Sequence, residues 1–221
     1  MRKRVVYVNG SFVDEDKAKV SVFDRGFLFA DAVYEVTAVI DGKILEWDGH
    51  VKRLERSLKE LDMKFPISET ELLNIHFDLI KKNELKEGLI YLQVTRGEDD
   101  RSFDYPDESV KPTLVLFTQV KSLAESNIAK TGLKVISVPD MRWGRRDIKT
   151  VQLLAPSMCK MMAKKKNKDD AWMIQDGFIT EGTSNNAYII TKDNVLVTRN
   201  LSNDILAGVT RRSILRYAKE S

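Results

Sequence analysis

The segment Ala32–Ile40 is a largely apolar run that meets Asp41-Gly42 and returns through residues 43–46. An Asp-Gly pair tolerates positive φ at both centres of a two-residue turn, whose twist suits antiparallel strands, so this stretch is restricted to a β-hairpin. The same reasoning applies to Asn9-Gly10, which separates Val5-Val6-Tyr7-Val8 from Ser11-Phe12-Val13, and to Asp176-Gly177 after a strand at 171–175. Helical periodicity fills the intervals. Val51, Leu54, Leu58 and Leu61 recur at spacings of three and four behind Asp48 as candidate cap, with a stop near Pro66. Residues 68–83 carry a capping-box pattern, Ser68 with Glu71, ahead of Leu72, Ile75 and Leu79, and His76 on that helix reads as packing.

Strands at 89–95 and 113–118 flank the charged loop Arg96-Gly97-Glu98-Asp99-Asp100-Arg101-Ser102-Phe103, where an arginine can be offered to an anion. Residues 121–131 have no firm period and are expected to link an α+β unit at 1–120 to a second domain at 132–221. That domain reads as a strand at 133–138, a helix at 155–166 with Pro156 in its first turn, and the strand at 171–175. Strands at 188–190 and 195–197 follow around Lys192-Asp193-Asn194, and a final helix starts near Gly208. Lys164, Lys165, Lys166 and Lys168 read as a solvated helix end favoured by the macrodipole.

Composition narrows the function classes. The 36 Lys and Arg against 33 Asp and Glu leave a net charge of +3, without the concentrated positive charge of a nucleic-acid binder. The single cysteine rules out an intramolecular disulfide, and His50 and His76 lack metal-ligand spacing, so no metal is expected. The basic start, Met1-Arg2-Lys3-Arg4, precedes too short an apolar run for a signal peptide, and no apolar stretch is long enough to span a membrane. A soluble, cytoplasmic protein is expected.

Two residue types stand out chemically. Lys149 offers an amine that can bond covalently to an aldehyde, and Glu181 a carboxylate that can keep a pyridine nitrogen protonated; together they suit pyridoxal phosphate. Taken singly, each feature has a plainer reading. Lys149 alone is most often a surface charge, and Arg53 alone most often a surface or salt-bridge residue, with phosphate ligand as its functional reading. Residues 206–210 are a helix cap or an anion site, and Thr180-Glu181-Gly182-Thr183-Ser184-Asn185-Asn186 is a polar turn.

Taken in order along the chain, the motifs resemble a known family. Asp24-Arg25-Gly26-Phe27, Asp31-Ala32-Val33-Tyr34-Glu35, His50-Val51-Lys52-Arg53-Leu54 and Tyr91-Leu92-Gln93-Val94-Thr95-Arg96-Gly97 are followed by Arg142-Trp143 and Asp147-Ile148-Lys149. Thr180-Glu181-Gly182-Thr183-Ser184-Asn185 and Asn203-Asp204-Ile205-Leu206-Ala207-Gly208-Val209-Thr210-Arg211 complete the set. The chain resembles the class IV, fold type IV, pyridoxal-phosphate-dependent aminotransferases, most of all their D-amino acid (D-alanine) branch. Branched-chain aminotransferases and aminodeoxychorismate lyase are more distant relatives.

The resemblance implies an α+β, two-domain fold: a small N-terminal domain and a larger pseudo-barrel cofactor domain that is apparently incomplete at the C-terminus. It implies a homodimer exchanging an amino group between a D-amino acid and a 2-oxo acid such as 2-oxoglutarate or pyruvate. Lys149 would be the catalytic residue. Pyridoxal 5'-phosphate would be held by Lys149, Arg53, Glu181, Ser184, Asn185, Leu206, Val209 and Thr210, and the substrate carboxylate by Tyr34 and Arg101. Phe103 stands where the D-amino acid enzymes have a histidine, removing one polar contact. The alternatives are a branched-chain L-amino acid aminotransferase, an aminodeoxychorismate lyase, or a relative that has lost catalysis.

Overall fold

Positive φ at Asn9 and Gly10, and at Asp41 and Gly42, closes two hairpins of the computed structural model, which describes residues 3–125 and 127–220. Met1, Arg2, Ser126 within the expected linker, and Ser221 lie outside the described residues. The first hairpin joins β1 (Val5–Val8) to β2 (Ser11–Asp14), and the second joins β3 (Ala32–Ile40) to β4 (Lys43–Ile44). With β5 (Gly88–Thr95) and β6 (Leu114–Val120) they form one antiparallel sheet in the order β2-β1-β6-β5-β3-β4. β4 is shorter than the expected 43–46, because Glu46 turns left-handed to start the next helix.

That helix, α2 (Trp47–Glu60), follows the short α1 (Arg25–Phe29), which periodicity did not anticipate and which Asp24 caps by accepting from the Gly26 amide. Asp48, expected to cap α2, lies inside its first turn, where its charge complements the helix dipole. α3 (Glu69–Asn83) is capped as expected, Ser68 Oγ accepting from the Glu71 amide at 3.2 Å. Val51, Leu54, Leu58, Leu72, Ile75 and Leu79 are buried where these helices pack on the sheet. His76 is packing: burial brings its imidazole down to about 4, so it stays neutral, with Nδ1 2.8 Å from the Leu72 carbonyl.

The chain divides into two compact units, residues 1–126 with Lys149–Val151, and 127–148 with 152–221. Lys149–Val151 belong with the first unit for a specific reason. β4 pairs only with Val39 and Ile40, which leaves the other end of β3 an open edge. The edge is filled by the Tyr34 amide donating to the Lys149 carbonyl and the Val151 amide donating to that of Ala32, at 3.0 and 3.1 Å, with Val33 bridging Thr150.

The second unit contains α4 (Asn127–Thr131), β7 (Val135–Pro139), α5 (Leu154–Lys165), β8 (Asp170–Gln175) and β9 (Phe178–Gly182). β7 and β8 are parallel, joined through α5, and β9 pairs antiparallel to β8. Cys159, Ala163, Ala171, Met173 and Val138 form the core under α5. β10 (Tyr188–Ile190) and β11 (Leu196–Thr198) make a separate hairpin before α6 (Val209–Glu220). One expectation changes here. Thr180-Glu181-Gly182 is strand, not turn, because the tight Asp176-Gly177 reversal brings it back alongside β8; bends occupy 183–185.

Candidate active site

Alternation along β3 sorts the first unit's candidates onto two faces. Val33, Glu35, Thr37 and Val39 are buried, whereas Tyr34 on the opposite face is only half-buried. A glutamate at an inward position must find donors, since an unpaired buried carboxylate is costly. Glu35 is 3% exposed, and α2 supplies them. Arg53 Nε donates to Glu35 Oε1 and Nη2 to Oε2, both at 2.8 Å, and His50 Nδ1 lies 2.7 Å from Oε2. Burial opposes ionisation of Glu35. The hydrogen bonds from Arg53 and His50, with the charges of Arg53 and Lys149, outweigh it and hold the carboxyl below its usual range. Arg53, the expected phosphate ligand, is therefore preset by a bidentate fork on Glu35.

On the other face Phe117, Tyr91 and Tyr34 stack in a row, with centroids 4.9 and 5.6 Å apart. Burial, with Tyr34 adding to it, pushes the Tyr91 phenol up to about 12. The row ends at Lys149, whose Nζ stands 4.1 Å from the Tyr34 ring centroid. The Lys149 amide donates to Ser57 Oγ at 3.3 Å, fixing its backbone to α2 as well as to β3. The first unit thus brings together the amine, the expected substrate-side tyrosine and the Glu35–Arg53 pair. Arg101 is on the exposed loop between β5 and β6, its guanidinium 5.4 Å from the Phe29 ring and 5.6 Å from that of Phe103, itself 82% exposed.

In the second unit Glu181 is 5% exposed on β9. It pairs with Arg142, accepts from Asn186 Nδ2 at 2.9 Å and from the Leu206 amide at 3.2 Å, while Asn186 also donates to the Leu206 carbonyl. Glu181 is so tied to the segment that leads into α6. Asp140 grips Arg142 through Oδ1 and Oδ2 at 3.0 and 2.7 Å and accepts from Thr180 Oγ1. Burial raises the Glu181 carboxyl above its ordinary value. Arg142 opposes that rise, and the Asp140 charge adds to it.

Val209 and Thr210 open α6, and a Cβ at Gly208 would meet Asn186 Oδ1 unless that side chain shifted. Amides at such a helix start suit a phosphate. Asn185 Nδ2 donates to Asp170 Oδ2 at 3.2 Å, bracing the turn, and Ser184 is exposed. The first unit thus offers an amine and an arginine, and the second a buried carboxylate of raised proton affinity and a helix start. Those group types fit a phosphorylated pyridine aldehyde.

Several contributors escaped sequence reasoning: Glu35, Ser57, Asp140, Asn186, and Arg142 as the partner of Glu181. Glu35 had a readable signal, a charged residue at an inward position of an apolar strand; Ser57 with Lys149 and Arg142 with Glu181 depend on chain segments far apart in sequence.

Comparison with known proteins bears on the class. The family model described as amino-transferase class IV matches residues 32–221. The D-alanine aminotransferase of Staphylococcus epidermidis is 37% identical over 215 residues, 97% of this chain and 76% of that protein. That of Bacillus licheniformis is 35% identical over 98% of this chain and 75% of its own length. Among solved structures, the branched-chain amino acid aminotransferase of Escherichia coli superposes with a TM-score of 0.86 at 21% identity, over 99% of this chain and 75% of that one, a likeness of fold. The fold is that of an aminotransferase. The chain belongs to the class IV aminotransferase family.

Proposed function

We propose that the protein is a pyridoxal-phosphate-dependent transaminase that moves the amino group of a D-amino acid, such as D-alanine, to a 2-oxo acid, such as 2-oxoglutarate or pyruvate. The carrying observation is the Lys149 amine, pinned at the edge of β3 and set over the Tyr34 ring. The names and 35–37% identities of the curated relatives support the choice of D-amino acids.

When bound, the cofactor supplies an aldehyde that accepts the amino group and a ring that takes up electrons from the substrate carbon. Lys149 would anchor the cofactor, and its amine would carry the proton from the substrate carbon, acting as base and then as acid. Glu181 would hold the ring nitrogen protonated, since the raised proton affinity of its carboxyl suits it to accept from an N–H. Arg53, with the Val209 amide and the Thr210 amide and hydroxyl, would hold the phosphate, and Leu206 would lie against the ring. Ser184 and Asn185 shape the turn beside Glu181. Tyr34 and Arg101 orient the substrate carboxylate, a placement worth much of the rate because it presents one C–H bond to Lys149.

The amino group leaves one substrate, which departs as a 2-oxo acid, and the second half-reaction returns it to the acceptor, so the two halves balance without an external redox partner. The working form is a cytoplasmic homodimer. Among the described residues no helix is long and apolar enough to cross a membrane. The test is a panel of D- and L-amino acids with pyruvate and 2-oxoglutarate, run on protein reconstituted with pyridoxal phosphate and sized by light scattering. D-alanine with 2-oxoglutarate should yield pyruvate. Faster turnover of L-branched-chain amino acids overturns the D-specific reading.

A further inference from the structure

Two buried arginines underlie the loop that carries Arg101. Arg25, 3% exposed, opens α1, and Arg96, 8% exposed, follows β5. Both converge on Asp31: Arg25 Nε donates to Oδ2 at 2.9 Å, and Arg96 donates to Oδ2 through Nε and to Oδ1 through Nη2, at 2.7 and 3.1 Å. Arg96 also donates to the Leu61 and Asp62 carbonyls, anchoring the cluster to the end of α2.

Arg25 has a second set of partners. Its Nη1 donates to the carbonyls of Ser102 and Asp104, at 2.8 and 3.2 Å, so one guanidinium grips the backbone on both sides of Phe103, beginning one residue beyond Arg101. The aromatic rings follow the same centre: Phe29 lies 4.6 Å from the Arg25 guanidinium and meets Phe103 edge-on at 5.7 Å, while Tyr105 lies over Arg96 at 3.7 Å. The loop base is equally constrained. The Arg25 amide donates to the Gly97 carbonyl at 2.8 Å, and Gly97 has φ +105°, where a Cβ would collide with the Lys111 carbonyl oxygen.

We infer that Arg25 is the positioning residue of the substrate-carboxylate loop: it fixes residues 101–104 through two backbone carbonyls and so sets amino-acid affinity without touching the substrate. The functional half of this inference rests on the proposed role of Arg101. The planar fork matters, because one guanidinium serves Asp31 and two carbonyls at fixed angles, whereas an ammonium is a point charge with no such geometry. Arg25→Lys keeps the charge beside Asp31 and loses the fork.

The test compares the reconstituted wild type with Arg25→Lys, Arg101→Ala and the double variant, by steady-state kinetics with D-alanine and by amide hydrogen exchange. In Arg25→Lys, exchange in residues 101–105 should rise about tenfold or more while β3 and β5 stay protected. The KM for D-alanine should rise about tenfold with kcat changed far less, the pattern of lost uniform binding. The double variant should be no worse than Arg101→Ala alone, since both changes remove the same contact. Unchanged exchange in the loop overturns the inference. So does a fall in kcat at constant KM, or multiplicative effects in the double variant. If Arg101→Ala itself leaves KM untouched, the carboxylate role of Arg101 has failed, and the exchange measurement alone decides whether Arg25 holds the loop. Should Arg25→Lys not fold, Tyr105→Leu removes the ring over Arg96 and should raise the same exchange and the same KM, more weakly; no change in either overturns the inference.

Discussion

Glu35 of the first unit and Glu181 of the second are both strand glutamates, both buried, and both paired with an arginine, yet their proton affinities move in opposite directions. Burial pushes each carboxyl up, so the difference lies in the surrounding charge. Around Glu35 a bidentate arginine, a histidine and the nearby Lys149 all favour the anion. Around Glu181 the arginine is shared with Asp140, whose own charge works against a second anion. One carboxylate is thereby committed to holding an arginine in place; the other keeps the basicity that a ring-nitrogen partner needs.

The sharpest break between the units is the amine, which only Lys149 provides in the proposed chemistry. Lys149→Ala should lower transamination by more than about a thousandfold, about 4 kcal/mol in barrier terms, while protein reconstituted with pyridoxal phosphate still retains the cofactor through its phosphate contacts. Turnover above that level would remove Lys149 from its role. Glu35→Gln is the next largest change and acts on stability: leaving Arg53 without its anion in a nearly dry setting should cost about 3 kcal/mol. The sign with pH follows from the lowered carboxyl. Its contribution is whole above its ordinary value of 4.5 and is lost as pH falls through the lower folded value. The gap in urea midpoint between wild type and variant should therefore be steady near neutrality and close on acidification; a gap that widens there would contradict the contrast between the two glutamates.

Glu181→Gln tests the other side. Removing the charge proposed to pair with the ring nitrogen should cut turnover by about a hundredfold, about 2.7 kcal/mol, comparable to losing one aimed electrostatic contact, with the fold intact by circular dichroism. An unaltered rate would leave Glu181 a structural residue like Glu35. The smallest effect belongs to the exposed loop. Phe103→His restores a polar contact beside Arg101 and should lower the KM for D-alanine by up to about tenfold, roughly one hydrogen bond. A higher KM would show that the Phe103 ring, packed by Phe29, serves the loop better than a histidine does.

Much of this was legible beforehand where the physics is local. The Asn9-Gly10, Asp41-Gly42 and Asp176-Gly177 turns form with the positive φ their residues permit, and Ser68 caps α3 through the contact its spacing implies. Local signals failed where a partner outside the window decided the outcome. Thr180-Glu181-Gly182 has turn composition but is strand, because β8 offers it hydrogen bonds; α1 is five residues long and depends on Asp24, which Thr95 in turn holds by donating its hydroxyl to Asp24 Oδ2.

The candidate site divides in the same way. Lys149, Arg53 and Glu181 were readable as chemistry, since an amine, a guanidinium and a carboxylate each have a narrow range of groups they can bind. Their partners were not. That Glu35 takes the Arg53 fork, that Arg142 holds Glu181, and that Lys149 completes the open edge of β3 are settled by contacts across 18, 39 and about a hundred residues of chain. Sequence by itself determined the turns, the helix faces and the inventory of reactive groups, because these follow from φ preferences, periodicity and functional-group chemistry. Only the tertiary structure decided which charges meet, and hence which of two buried glutamates is held as an anion and which stays basic, because proton affinity depends on the sum of neighbours that folding brings within a few ångströms.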